Sequence, residues 1–169
     1  MIFTRFASSQ VGYEGEMAVI IGKAGRRISR EAALTHVAGY ARYDDGSLRD
    51  GQRHTSQFAP GKNFVATGGF GPWMVTSDEI PDISRQIIAT RLNSVEVQAA
   101  PISDMVFDVP ALIAYCSTFT ELGPGDVIVI EVEVSGIGVL RNPVKDEVAA
   151  AATRAAWFRL PITRARRRS

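Results

Sequence analysis

Tyr13-Glu14-Gly15-Glu16-Met17-Ala18-Val19-Ile20-Ile21-Gly22-Lys23 decides the reading of this chain. Residues 17 to 21 have the apolar, β-branched composition of a buried strand, and Gly22-Lys23-Ala24-Gly25 ends it with turn chemistry. Side chains two apart on a strand point to the same face, so Glu14 and Glu16 project together. A two-carboxylate face at the start of a buried strand is half of a hard-cation site.

Working outward, Ser29 is a reasonable N-cap for a short helix through about Val37, with Gly39 placed to close it. That helix returns the chain to Tyr43-Asp44-Asp45, where a loop carboxylate can join the first two. With no cysteine and no histidine pair nearby, three hard oxygen donors favour Mg²⁺ or Mn²⁺ over zinc or copper. The same spacing also reads as solvated acids at the beginning of a strand, because short acidic patterns are common on surfaces.

The surrounding text resembles the fumarylacetoacetate hydrolase family, block after block in the same order. Tyr13-Glu14-Gly15-Glu16 through Gly22-Lys23 is similar to the family's Glu-x-Glu strand ending in Gly-Lys. Val37-Ala38-Gly39-Tyr40 and then Asp44-Asp45-Gly46-Ser47-Leu48-Arg49-Asp50-Gly51-Gln52 resemble its Gly-Tyr and Asn-Asp-x-Ser-x-Arg-Asp-x-Gln signature. Gly61-Lys62-Asn63-Phe64, Gly71-Pro72-Trp73, Arg91-Leu92-Asn93, Asp104-Met105-Val106-Phe107, Leu122-Gly123-Pro124-Gly125-Asp126 and Gly136-Ile137-Gly138 to Asn142 follow in the expected order.

The resemblance implies an α+β, mainly β chain, a mixed β-roll with few short helices that packs as a homodimer. It implies that Glu14, Glu16 and Asp45 bind Mg²⁺ or Mn²⁺. Arg49 and Gln52 match substrate-contacting positions, and Lys62 matches a group that can offset enolate charge. The implied substrates are 2-oxo or β-diketo acids, and the implied reactions are C–C hydrolysis, decarboxylation or enol isomerisation with the metal as Lewis acid. Read without the neighbouring blocks, Arg49 is an ion-pair partner of Asp50 or Asp45, and Lys62 a solvated loop cation.

The departures fall on the parts that perform chemistry. Asp44 stands where the family commonly has Asn, Val65 where many members have Asp, and Ser94 where Gly is usual. Ile2 to Ser9 is similar to the segment that follows the family's lid, so the lid with its His and Glu pair is expected to have no counterpart in the chain. The usual longer connection between positions like Gly12 and Tyr13 is also short. Val127-Ile128-Val129-Ile130 runs straight into Glu131-Val132-Glu133, where the family inserts a Gly-Thr-Pro-x-Gly-x-Gly loop and a hairpin. General acid/base chemistry needs a titratable group within reach of the proton, and the two histidines are His36 and His54. His36 is expected near the end of the helix before Gly39, and His54 as a solvated loop residue. A shortened, non-catalytic member that keeps the dimerising roll and a metal is therefore the alternative to an enzyme.

Composition is that of a single folded domain: 169 residues, 46% hydrophobic and 22% charged. The net charge of +1 argues against a general electrostatic role on nucleic acid or membrane. One cysteine, Cys116, cannot form an internal disulfide and is expected in the core. With neither a signal peptide nor an apolar membrane span to be read, the expected location is the cytoplasm.

Strands are expected near 2–6, 14–21, 72–76, 86–92, 127–134 and 137–141, and helices near 30–37 and 109–119. Pro110 suits the first turn of the second helix, Gly123-Pro124-Gly125-Asp126 is a strong turn, and Gly136 to Gly138 reads as a hairpin or bulge. The domain is expected over 1–144. Residues 145–169 shift to Ala149–Ala152 and then to Arg164, Arg166, Arg167 and Arg168, which reads as a solvated, disordered tail.

Overall fold

Met17 to Ile21 does form the buried centre of the molecule, every residue of it at most 9% exposed. The computed structural model describes Ile2, Phe3, Ser8, residues 10–130, Asn142, Lys145 and Asp146. In chain order its elements are β1 (Ile2–Phe3), β2 (Val11–Gly12), β3 (Gly15–Ile21), β4 (Val37–Asp45), β5 (Ser47–Leu48), α1 (Arg49–Gln52), α2 (Ala59–Lys62), β6 (Gly68–Thr76), β7 (Ile87–Leu92), β8 (Val95–Pro101), α3 (Val109–Phe119), β9 (Val127–Ile130) and β10 (Lys145–Asp146). The chain is mainly β with few short helices, as expected.

A four-stranded antiparallel sheet in the order β6-β4-β3-β9 carries the site. Residues directly opposite one another in such a ladder share a face. Val19, Tyr40 and Val75 therefore line up on one side, and with Met17 and Ile21 they bury against Val109 and Ile113 of α3. Ala18 and Ala41 line up on the other side, where with Ile20 they make a second, small apolar cluster. Glu14 and Glu16 continue that second face beyond Ala18.

α3 runs over the expected residues. Asp108 caps it, its carboxylate accepting from Ala111 N at 2.9 Å, and Pro110 lies in the first turn. Cys116 packs against the main core, as expected. The Gly123 to Asp126 turn is closed by Gly123 N donating to Asp126 Oδ2 at 2.8 Å, with Gly125 at φ +93°.

The first expected helix is corrected by the structure. Over 30–37 only a 3₁₀ turn, Ala33–His36, forms, and Val37 opens β4. The alternating Val-Ala-Gly-Tyr-Ala-Arg-Tyr segment pairs on both sides, with β3 and β6, and that pairing overrides the helical leaning of Glu31-Ala-Ala-Leu. Gly39, expected as a helix terminator, is instead a close-approach residue inside β4: a Cβ there would strike the Val75 carbonyl oxygen. β6 begins earlier than expected, and β7 pairs antiparallel with β8, a strand not foreseen. The Asn93-Ser94 turn between them has φ +50° and +70°. Lys145–Asp146 pairs in parallel with Ile2–Phe3. The expected strands over 131–141, the Gly136 hairpin and the rest of the tail lie outside the described residues. Among those described, no helix is long and apolar enough to cross a membrane.

Candidate metal centre

Asp45 reaches the two glutamates through strand pairing, not from a loop. Gly15 pairs with Asp44, and Asp45 N donates to the Glu14 carbonyl at 2.9 Å, so Asp45 lies beside Glu14 across the ladder. One carboxylate oxygen from each of Glu14, Glu16 and Asp45 falls within 4.8 Å of the others. Hard divalent ions hold oxygens at about 2.0–2.6 Å, so oxygens sharing one ion lie up to about 4–5 Å apart. The donor set is all-oxygen and anionic, and both glutamates are 7% exposed. These residues fit Mg²⁺ or Mn²⁺.

Two cations already lean on Glu14. Arg49 Nη1 is paired with its Oε1 and Lys62 Nζ with its Oε2. Lys62 Nζ is also 2.9 Å from Asp45 Oδ2. Arg49 Nη1 further donates to Gln52 Oε1 at 3.0 Å, which places all three expected polar side chains around one carboxylate. Burial pushes the Lys62 pKa down, but its hydrogen bonds and ion pairs with Glu14 and Asp45 outweigh it, and the net shift is upward. Neither residue takes the bland role open to it in isolation: Arg49 pairs with Glu14 and not with Asp50 or Asp45, and Lys62 is half-buried and ion-paired.

Two one-turn helices deliver these groups. Arg49 and Gln52 belong to α1 and Lys62 ends α2; the two helices touch through glycines, since a Cβ on Gly61 would strike Gln52 N and one on Gly51 would lie 3.1 Å from Gly61 Cα. α1 is anchored by Arg49 N donating to the Gln10 carbonyl at 2.8 Å and by Ser8 Oγ donating to Asp50 Oδ1 at 2.6 Å.

Asp44 points away from this cluster. Its Oδ2 accepts from Asn142 Nδ2 at 3.0 Å, while Oδ1 is buried and takes no hydrogen bond among the described residues. Desolvation raises its pKa, against the lowering effects of Asn142 and of the Glu14 backbone. His36 is at the far end of β3, its Nδ1 2.9 Å from the Lys23 carbonyl oxygen, and His54 is exposed.

Sequence reasoning missed Tyr43 and Thr90. Tyr43 pairs with Glu16 on one side and Phe70 on the other, so it stands on the carboxylate face, two residues before Asp45. Burial pushes its phenol up, and Asp45 and Glu16 push it further. Strand alternation would have found it had β4 been recognised. Thr90 packs from β7 onto Gly15, and no sequence signal marks that contact.

The profile of the fumarylacetoacetate hydrolase C-terminal domain matches residues 2–130. Over 138 residues the chain is 41% identical to the oxaloacetate tautomerase YisK of Bacillus subtilis, covering 82% of this chain and 46% of that protein. It is 38% identical over 160 residues to the human mitochondrial oxaloacetate tautomerase FAHD2A, covering 85% and 51%. The chain thus spans about half the length of these relatives. Among solved structures, the fumarylacetoacetate hydrolase of Exiguobacterium antarcticum superposes with a TM-score of 0.79 at 33% identity, covering 83% of this chain and 58% of that one. A fumarylpyruvate hydrolase from Pseudomonas aeruginosa, solved with Mn²⁺ and pyruvate, gives 0.73 at 26%, covering 86% and 69%. On the family match and these identities together, the chain belongs to the fumarylacetoacetate hydrolase family.

Proposed function

We propose that this chain carries the metal-binding catalytic centre of a divalent-metal-dependent enzyme acting on a 2-oxo or β-diketo acid, with Glu14, Glu16 and Asp45 as ligands of Mg²⁺ or Mn²⁺. The observation that carries the reading is the convergence of those three carboxylates within 4.8 Å on one sheet face. Relatives named as oxaloacetate tautomerases and a neighbour solved with Mn²⁺ and pyruvate support the substrate class and the ion.

When bound, the ion supplies Lewis acidity to an α-oxo group and stabilises enolate charge. Arg49 is suited to clamp a substrate carboxylate through a guanidinium fork. Gln52, held by Arg49, orients the substrate or a water. Lys62 offsets negative charge that develops at the enolate oxygen. Burial of Glu14 and Glu16 keeps both carboxylates positioned and strengthens each of these interactions relative to bulk water.

The test is turnover of oxaloacetate tautomers and of acylpyruvates by the purified protein with Mn²⁺ or Mg²⁺, and its loss in Asp45→Ala. A non-catalytic reading is favoured by one observation, that His36 bonds the Lys23 carbonyl at the far end of β3 and His54 is exposed, with no hydrogen bond or ion pair from either ring to the three carboxylates among the described residues. It predicts metal uptake without turnover on any of these substrates.

The remaining assignments rest on the same reading. We place the domain over 1–144 and an Ala/Arg-rich tail over 145–169; the pairing of Lys145–Asp146 with Ile2–Phe3 carries the domain's strand pairing two residues past that boundary, against the reading of the whole segment as a solvated, disordered tail. Exposed Phe70, Trp73 and Met74 on β6 suit a homodimer, which sedimentation tests. The single cysteine suits a reducing cytoplasm.

A further inference from the structure

Two of the carboxylates proposed to bind metal are already paired with a side-chain ammonium. Lys62 Nζ touches Glu14 Oε2 and lies 2.9 Å from Asp45 Oδ2, so it bridges two of the three ligand residues. Arg49 takes the other oxygen of Glu14. Each oxygen of Glu14 thus already accepts one charge-assisted contact, and Lys62 sits between the Glu14 and Asp45 oxygens that an ion bridging them would use.

We propose that Lys62 is a built-in counter-ion that occupies the metal's place in the ion-free protein and is displaced when the ion binds. The inference rests on the metal-site reading given above, and it concerns how the site loads. Three carboxylates this close together, two of them buried, repel one another strongly without a cation among them. An ammonium on Glu14 and Asp45 relieves that repulsion. A divalent ion bridging the same Glu14 and Asp45 oxygens relieves it more fully and would take the position of the ammonium.

Of the two cations, Lys62 is the one built to leave. It bridges two ligand carboxylates, whereas among the described residues Arg49 pairs with the one ligand Glu14 and is tied to Gln52 as well. Arg49 also lies over Gly12, where a Cβ would collide with its guanidinium. Lys62 ends the one-turn α2. A flexible four-carbon stem can swing the ammonium outward without moving the backbone. Loading would then turn Lys62 from a ligand mimic into a positive group on the open side of the cluster, where an acidic substrate arrives. Metal affinity is correspondingly set against the cost of displacing the lysine.

The experiment is a Mn²⁺ titration of the parent and of Lys62→Met by calorimetry, together with acetylation of Lys62 in the parent, read by mass spectrometry with and without saturating Mn²⁺. Displacement predicts that Lys62→Met binds Mn²⁺ at least about tenfold more tightly, and that Mn²⁺ speeds Lys62 acetylation severalfold. Equal or weaker binding by Lys62→Met overturns displacement while leaving the metal site standing. If Lys62→Met does not fold, the parent decides alone, and acetylation that Mn²⁺ slows or leaves unchanged overturns the proposal. Absence of Mn²⁺ binding by either protein overturns the metal reading and this inference with it.

Discussion

Gly15 and Thr90 are in contact where only a glycine fits: a Cβ on Gly15 would overlap Thr90 Oγ1. Gly15 separates the two buried glutamates, and Thr90 belongs to the β7–β8 hairpin, so the hairpin's position and the carboxylate spacing are coupled through this one contact. Gly15→Ala is expected to destabilise the protein by about 1–3 kcal/mol, the usual cost of overpacking, and to weaken Mn²⁺ binding. Thr90→Ala added to Gly15→Ala should restore much of both. Denaturant melts and calorimetry on the two variants check this.

Ser94 occupies the second position of the hairpin turn at φ +70°, in the left-handed region that favours glycine. Ser94→Gly is expected to stabilise the protein by about 1 kcal/mol by removing that conformational penalty. Urea unfolding at neutral pH measures it, and the m-value should not change.

Asp44 buries an oxygen that takes no hydrogen bond among the described residues, and desolvation raises its pKa. Asp44→Asn, the residue common in the family at this position, keeps an acceptor for Asn142 and removes the buried charge. The expected gain at pH 7 is about 1 kcal/mol, read from the same melts.

Tyr40 is 3% exposed in the main core, and burial, with a further push from Asp82, raises its pKa. Above about pH 10 the unfolded phenol ionises while the folded one keeps its proton. Its contribution to stability is therefore complete below that pH and is lost as pH rises through the folded value. Tyr43 adds a component of the same sign. Tyr40→Phe is expected to make the alkaline fall of stability shallower between pH 9 and 11, by unfolding at stepped pH.

The parts of the fold legible in the sequence were those fixed by local chemistry. β3 announced itself by a β-branched run with turn residues after it, and α3 by Pro110 in its first turn. β4 was misread because Ser29 and Gly39 imitate helix punctuation, whereas the strand exists by virtue of two partners distant in sequence. The three carboxylates and the polar residues Arg49, Gln52 and Lys62 were found by order of motifs and are brought together by the structure. Their arrangement was not legible. That Lys62 bridges Glu14 and Asp45 depends on the Gly51–Gly61 approach of α1 and α2, a three-dimensional contact that leaves no periodic trace.

The central claim is that Glu14, Glu16 and Asp45 form a working chelation site, and it is tested most directly by titrating the purified protein with Mn²⁺ by calorimetry, alone and with oxalate, an enolate mimic of 2-oxo acids. The account predicts one saturable Mn²⁺ site, tightened by oxalate and lost in Asp45→Ala. Mn²⁺ uptake by Asp45→Ala equal to that of the parent, or none by the parent, would contradict it.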